Sequence, residues 1–353
     1  MSAAEWLNAM SPWPRDGFGL ERMRMLLVQL ENPQDEYPAI HIVGTNGKST
    51  ATVTVEQLLL SEGLSVGATI SPHVAGWSER IRLDGAEADF ESAVTRVRTA
   101  AERLDATQFE IVTAAALTAF ADAGVDVAVV EAGLGGRFDA TNVLQTRVVL
   151  LTNVGLEHTD VLGDTLEAIA REKLAVAPPD AIVVLPDDTY AHLVPGREIR
   201  IGGARTAAEA FVGHMIVATP VVSLPGRLEQ RDGEIRDGAH NPDGARFLVE
   251  RLPTGDYTLV VSILADKNVD AMLRELRRAG RRLVATRSSS SRSLPADDLA
   301  AIARAYFDHV EIVDDPIDAL ARGHELGELV LVTGSLYLLG DIAQEERRAA
   351  WRD

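Results

Sequence analysis

The sequence predicts a two-domain α/β protein with mostly parallel strands, and three observations lead there. At 353 residues the chain is long enough for two domains of about 150 residues each. Short apolar runs alternate with longer segments of helical period, the pattern of strands joined by crossover helices. A glycine-rich turn stands between the first clear strand, Ala39–Val43, and the helix that follows it to about Glu62.

The remaining elements follow in order. Leu20, Met23, Leu27 and Leu30 form one stripe of an amphipathic helix entered through Asp16-Gly17-Phe18-Gly19. Gly63 marks a helix end, and Ser65–Ile70 reads as the next strand. Val125–Val130 and Arg147–Thr152 are continuous apolar runs suited to strands buried on both faces. After Ala177, prolines at 178, 179, 186, 195, 220 and 225 punctuate a region read as short strands without a long helix. The βα rhythm resumes with strands at Tyr257–Leu264, Arg282–Thr286, Val310–Val313 and Leu329–Thr333. The domain boundary is expected near Val222–Pro225, giving domains at 1–222 and 223–353.

Composition narrows the function classes. Hydrophobic residues make up 46% and charged residues 25%, an ordinary globular balance. Acidic residues outnumber basic ones 53 to 34, a net charge of −19, which repels nucleic acid and anionic lipid and argues against both as partners. The absence of cysteine excludes disulfides, thiolate metal sites and a cysteine nucleophile. The longest apolar run, Leu259–Ala265, is too short to span a bilayer and is broken by Ser262. Residues 1–15 lack the basic start and apolar core of a signal peptide. The expectation is a soluble, cytoplasmic protein.

Five segments carry chemistry. In Gly44-Thr45-Asn46-Gly47-Lys48-Ser49-Thr50, glycines let backbone amides turn toward phosphate oxygens at a helix N-terminus. Lys48 can neutralise phosphate charge, and Ser49 or Thr50 can ligate Mg²⁺. The strict phosphate-loop spacing fails, because Ile42 stands where its first glycine belongs, so a plain Gly/Asn turn is the alternative. Glu131 ends a buried strand ahead of a glycine-rich run, a position suited to Mg²⁺ or to simple solvation. His158, beyond the next strand, reads either as a metal ligand or as a structural loop histidine. Lys173 falls on the apolar stripe of a helix capped by Asp164 and Glu167, with Leu166, Ile169 and Ala177, so it either snorkels to water or is chemically altered. Arg227 precedes Asp237-Gly238-Ala239-His240-Asn241-Pro242, in which Asn241 can cap a helix starting at Pro242.

Taken together, these segments closely resemble folylpolyglutamate synthase/dihydrofolate synthase, a branch of the Mur ligase superfamily. The resemblance rests on Asp16–Glu21, Gly44–Thr50, Ser71-Pro72-His73, Phe109-Glu110, Glu131–Asn142, His158-Thr159-Asp160, Arg171-Glu172-Lys173, Pro225–Glu229, Asp237–Pro242, Asp266-Lys267 and Thr333-Gly334-Ser335. These cover nearly the whole chain in order, and the run Gly-Leu-Gly-Gly-Arg-Phe-Asp-Ala-Thr-Asn is especially specific.

The resemblance implies a phosphate-loop ATPase domain with a mostly parallel sheet and a smaller Rossmann-like C-terminal α/β domain. It implies an ATP- and Mg²⁺-dependent ligase of folate biosynthesis and one-carbon metabolism. ATP phosphorylates the carboxylate of dihydropteroate or a reduced folate, and the amine of L-glutamate attacks the acyl phosphate. By resemblance, Gly44, Thr45, Asn46, Gly47, Lys48, Ser49 and Thr50 cradle the triphosphate, and Ser71, Glu131 and His158 ligate the metal. Lys173 is expected to be carbamylated, and with Lys48 and His158 to serve catalysis. Arg227, Asp237, His240 and Asn241 are expected at the nucleotide, and Asp16, Gly17, Phe18, Gly19, Phe109 and Asp139 at the pterin-bearing acceptor. A monomer is expected. The chain departs from the family between the proline-rich stretch and Pro225, where a His-Gln motif, a nucleotide-contacting asparagine and an Ala-rich helix are missing. Two alternatives remain on the sequence: a Mur-type ligase for another carboxylate, and a degenerate nucleotide- or folate-binding protein.

Overall fold

The structure is a computed structural model that describes residues 1–14 and 17–350, so the expectation for Asp16 lies outside the described residues. The chain divides into two compact units, one of residues 1–73 and 77–222, the other of residues 74–76 and 223–353.

The first unit starts with helices α1 (Ala3–Ala9) and α2 (Glu21–Gln29). It continues through β1 (Ala39–Val43), α3 (Lys48–Ser61), β2 (Val66–Thr69), β3 (Ile81–Leu83), β4 (Ala86–Glu87), α4 (Phe90–Arg103) and α5 (Gln108–Ala123). Then come β5 (Val127–Glu131), β6 (Thr146–Leu151), α6 (Thr159–Leu162), α7 (Leu166–Leu174), β7 (Ile182–Leu185), β8 (Ile199–Ile201) and α8 (Ala204–Val212). The eight strands order as β4-β3-β2-β5-β1-β6-β7-β8, parallel except at the β2-β3-β4 edge. Every residue of β1 and β5 is buried, and all are apolar except His41 and Glu131. Ile40 and Ile42 face one core with Val55, Leu58 and Leu59 of α3, while Ala39 and Val43 face the opposite side.

The second unit holds β9 (Glu229–Arg231), β10 (Glu234–Arg236), α9 (Pro242–Val249), β11 (Thr258–Val261), α10 (Val269–Leu276) and β12 (Arg282–Ala285). It ends with α11 (Ala296–Ala303), β13 (His309–Ile312), α12 (Pro316–Leu326), β14 (Val330–Thr333) and α13 (Leu336–Ala350). Its sheet orders as β13-β12-β11-β14-β10-β9 and is parallel apart from the β9–β10 hairpin. From β11 the chain winds outward through β12 and β13, then crosses back to place β14 between β11 and β10, so the strand order reverses beside β11 as in a Rossmann-like domain.

Three local expectations are corrected. The proline-rich region does contain a helix of nine residues, α8, which buries Ala207, Ala208 and Ala210 against the α3 side of the sheet. Its apolar face is built mostly of alanine, and the prolines around it favoured a reading as short strands. The cap of α7 is Thr165, whose hydroxyl accepts from the Ala168 amide, and not Asp164. The buried stripe of α7 is also narrower than expected: Ile169, Ala170, Lys173 and Leu174 are buried, Leu166 is exposed, and Ala177 lies past the helix end.

Candidate active site

The carboxyl end of β1 turns into Gly44–Gly47 and enters α3 at Lys48. Gly47 has φ of 78°, a left-handed conformation that a side chain would strain, and a Cβ there would meet open space. A Cβ at Gly44 would instead collide with the side chain of Thr152. The loop is strapped to the segment beyond β6. The Asn46 amide donates to Asn153 Oδ1 at 2.9 Å, and Thr152 Oγ1 donates to the Asn46 carbonyl at 2.8 Å. The Gly155 amide donates to Thr45 Oγ1 at 3.0 Å, and the Thr45 amide to the Asn153 carbonyl at 3.1 Å. Sequence reasoning gave Thr152 and Asn153 no such role. Their partners lie more than 100 residues away, so no local pattern announces them.

Both lysines named from the sequence reach this loop. Lys48 Nζ donates to the Thr45 carbonyl at 3.1 Å, and Lys173 Nζ to the Gly44 carbonyl at 2.8 Å. Lys173 is only 5% exposed. Burial, together with repulsion from Lys48, pulls its pKa down to about 8, against the attraction of Glu157 and Asp139.

Glu131 is buried at the end of β5. The Ser71 amide donates to its Oε2 at 2.9 Å, so two of the three expected metal ligands adjoin. Ser49 Oγ approaches the Ser71 carbonyl at 3.5 Å, at the edge of hydrogen-bond range, linking this pair to the start of α3 beside the glycine loop. Arg80, which sequence reasoning missed, donates through Nε to His73 Nδ1 at 2.9 Å and lies over the Trp77 ring. Burial lowers its pKa to about 10 despite the pull of Glu131 and Glu79. His158 stands apart in character: it is exposed, takes a left-handed φ of 50°, and pairs with Glu157 at 3.4 Å. Among the described residues, no three His, Cys, Asp or Glu side chains form a ready metal cluster. A triphosphate with a divalent cation nonetheless fits the residues present. A glycine loop at the N-terminus of a fourteen-residue helix carries the cation Lys48, and a buried carboxylate adjoins it through Ser71.

The glycine-rich run after β5 is packed from two sides. A Cβ at Gly133 would lie 2.5 Å from the Phe109 ring, and one at Gly136 would lie 2.5 Å from the Lys173 carbonyl. Asp139 is buried at the centre of the turn. Its Oδ2 accepts from the Leu134 amide at 2.7 Å, and its Oδ1 accepts from the Thr141 amide and hydroxyl at 3.0 and 2.5 Å. Burial raises its pKa against the pull of those bonds. Phe109 sits in the first turn of α5, whose capping box pairs Thr107 with Glu110. Glu110 also pairs with Arg22 of α2 at 3.0 Å, tying the helix that follows Gly17–Gly19 to the helix bearing Phe109. Phe18 is exposed and meets Trp13 edge-on at 6.0 Å.

In the second unit, Asp237 folds its own turn. Its oxygens accept from the Leu228 and Ala239 amides at 2.8 and 2.9 Å. Burial raises its pKa, while those amides, Arg227 and His240 pull it down. The Gly238 amide donates to the Gly226 carbonyl at 2.8 Å, bringing Arg227 and the Asp237–Asn241 turn together. His240 Nδ1 lies 2.8 Å from the Gly238 carbonyl, which makes Nδ1 the protonated nitrogen. Asn241 caps α9, as its sequence context predicts, by accepting from the Gly244 amide at 2.7 Å.

Comparisons with known proteins identify the family and the fold. The Mur ligase middle domain matches residues 42–199, and the Mur ligase glutamate ligase domain matches residues 226–336. The dihydrofolate synthase/folylpolyglutamate synthase of Mycobacterium tuberculosis is 30% identical, over 87% of this chain and 83% of that protein. Escherichia coli FolC in complex with DHPP and ADP superposes with a TM-score of 0.88 at 26% identity, covering 100% of this chain and 99% of that one. A bifunctional folylpolyglutamate synthase/dihydrofolate synthase with Mn, AMPPNP and L-glutamate bound gives 0.83 at 26% identity, covering 98% of each chain. Among the described residues no helix is long and apolar enough to cross a membrane.

Proposed function

Because the chain belongs to the folylpolyglutamate synthase/dihydrofolate synthase family of Mur-type ligases, we propose that it forms an amide between L-glutamate and the carboxylate of dihydropteroate, a reduced folate, or both, with ATP cleaved to ADP and phosphate. The observation that carries this reading is the convergence of Lys48 and Lys173 on adjacent carbonyls of one glycine loop at the N-terminus of α3.

A carboxylate is a poor electrophile until one of its oxygens becomes a phosphate leaving group. Phosphoryl transfer to it brings two anions together, so the residues around the loop act mainly by charge. Lys48 offsets the charge that develops on the transferring phosphoryl group, and the straps from Thr152 and Asn153 hold the loop in register. Ser71, Glu131 and His158 would hold Mg²⁺, which supplies further charge neutralisation when bound. Gly17, Phe18, Gly19 and Phe109 receive the acceptor, with Asp139 shaping the turn that packs on Phe109. Arg227, Asp237, His240 and Asn241 contribute nucleotide contacts. The protein works as a cytoplasmic monomer.

Lys173 acts as a carbamate. With a pKa of about 8, roughly a tenth of its side chain is neutral amine near pH 7. That amine attacks CO₂, a nitrogen–carbon bond forms, and one proton leaves to solvent. The carbamate nitrogen keeps one hydrogen, enough to preserve the bond to Gly44. The new anion turns repulsion from Lys48 into attraction and would help hold the metal.

ADP release tests this reading, with dihydropteroate and tetrahydrofolate offered separately, each with and without L-glutamate. Release that requires an acceptor and glutamate together supports the ligase. Release without an acceptor, or none with either, overturns it; the second result leaves a binding protein.

A further inference from the structure

We propose that His41 is a positioning residue for this ligation, acting through Thr141 and Asp139 to hold the Gly133–Arg137 turn between Phe109 and Lys173. The inference rests on the proposed function for the reaction it serves. The relay itself rests on the geometry of the first unit.

His41 is a polar residue where packing asks for none. It lies fully buried in the middle of β1, paired in register with Val130 of β5 and Val149 of β6, and on the strand face that also carries Ala39 and Val43. An aliphatic side chain would satisfy this sheet. The imidazole Nε2 instead lies 2.8 Å from Thr141 Oγ1, one hundred residues along the chain.

The direction of each bond follows from counting hydrogens. Asp139 Oδ1 sits 2.5 Å from Thr141 Oγ1, the short separation of a hydroxyl donating to a carboxylate. Both Asp139 oxygens already accept from backbone amides, as a carboxylate does, so the one hydrogen of the Thr141 hydroxyl goes to Asp139 and toward His41 the Thr141 oxygen accepts. His41 therefore carries its proton on Nε2. Burial holds the ring neutral, pulling its pKa down to about 3, so Nδ1 is a bare acceptor. Nδ1 is indeed buried without a hydrogen-bond partner. An unpartnered buried acceptor is destabilising and brings the sheet nothing. What the ring supplies is one N–H aimed at Thr141.

The far end of the relay is the functional turn. Asp139 Oδ2 accepts from the Leu134 amide at 2.7 Å. Leu134 stands between Gly133, which abuts Phe109, and Gly136, which abuts the Lys173 carbonyl. The Arg137 amide also donates to the Glu172 carbonyl at 3.1 Å. A carboxylate displaced by even part of an ångström would move the surface on which Phe109 packs and the backbone of Lys173. The central strand thus sets the position of the acceptor side by way of one imidazole.

Three variants and two readouts test this. His41→Leu removes the N–H, His41→Gln retains an amide donor at the equivalent atom, and Thr141→Val breaks the relay one step later. In the intact chain, His41→Leu and Thr141→Val should each speed hydrogen exchange of the Leu134 amide and lower kcat/KM for the acceptor by about tenfold, with the KM for ATP much less affected. The double variant should be little worse than either single one. His41→Gln should stay close to the unaltered protein in both readouts. Nitrogen-15 spectra of the unaltered chain near neutral pH should show His41 as the Nε2–H tautomer. A protonated Nδ1, Leu134 exchange unchanged in His41→Leu and Thr141→Val, or equal losses in the Leu and Gln variants would overturn the proposal. Should His41→Leu not fold, Thr141→Val and the tautomer still decide it. Absence of ligase activity in the unaltered chain would remove the proposed function, while the exchange readout would still judge the relay.

Discussion

The loops after β1 and β5 are both glycine-rich and both leave a fully buried strand of the same sheet, yet they are held in opposite ways. Gly44–Thr50 contains no acidic residue and is strapped from outside by Thr152, Asn153 and Gly155. The run 132–142 is folded from inside, around the buried carboxylate of Asp139. In Gly44–Thr50 no side-chain anion competes for the loop amides, which suits the phosphate role proposed for it. Lys173 joins the two, its Nζ on the Gly44 carbonyl and its own carbonyl against Gly136.

The comparison breaks most sharply at Lys48. Lys48→Ala takes the cation from the first loop and leaves the second untouched, so turnover should fall by about 10²–10³. ADP release measures it, and near-normal turnover would remove the phosphate-loop assignment.

Lys173 is the next largest effect, because it touches both loops. Lys173→Ala should lose most ligase activity, and acetate or formate should restore part of it by occupying the vacated space. Depletion of bicarbonate should slow the unaltered enzyme. Full activity without bicarbonate, and no rescue by either acid, would rule out the carbamate.

Lys173 also gives the comparison a pH signature in stability. An unmodified amine has its pKa lowered to about 8 in the fold, below the 10.5 of a free lysine, so the unfolded chain binds more protons between those values. Stability therefore rises with pH across that window, by up to about 3 kcal/mol. Lys173→Met should lack this rise in CO₂-free buffer, which denaturant titrations of the two proteins at about pH 7.5 and 10.5 would measure. Parallel curves for the two would show that the amine is not buried as described.

Asp139→Asn sharpens the inside-held loop. An amide has one oxygen where the carboxylate offers two, so either the Leu134 or the Thr141 donors lose their partner, at a loss of about 1–3 kcal/mol. A urea midpoint shift reads this, and Thr152→Val in the first loop should shift it less. The smallest effect lies outside both loops: Asn241→Ala removes the cap of α9 and should lower stability by about 1 kcal/mol, also read in urea.

What could be read in advance follows the range of each interaction. Gly44–Thr50 was legible because strand, turn, lysine and helix are adjacent in sequence. Asn241 was legible for the same reason, since a cap acts over three residues. Lys173 was legible only as a question. Its stripe placed it among apolar neighbours, but its partner Gly44 lies 129 residues away. His41 was not legible at all, because a histidine inside an apolar strand carries no mark of the residue it will meet. Arg80 was not legible as a site residue because Glu131, which acts on its charge, is distant in sequence, although its contact with His73 is local.

The sequence by itself determined the two α/β units, their main strands and the glycine loop between β1 and α3, since these rest on periodicity and on residues within one turn of each other. Only the tertiary structure decided which side chains hold those loops: Thr152 and Asn153 from beyond β6, Lys173 from α7, and His41 through Thr141. A hydrogen bond is made within about 3 Å, and neighbours at that distance are chosen by how β1, β5, β6 and α7 pack. No stretch of local sequence encodes that choice.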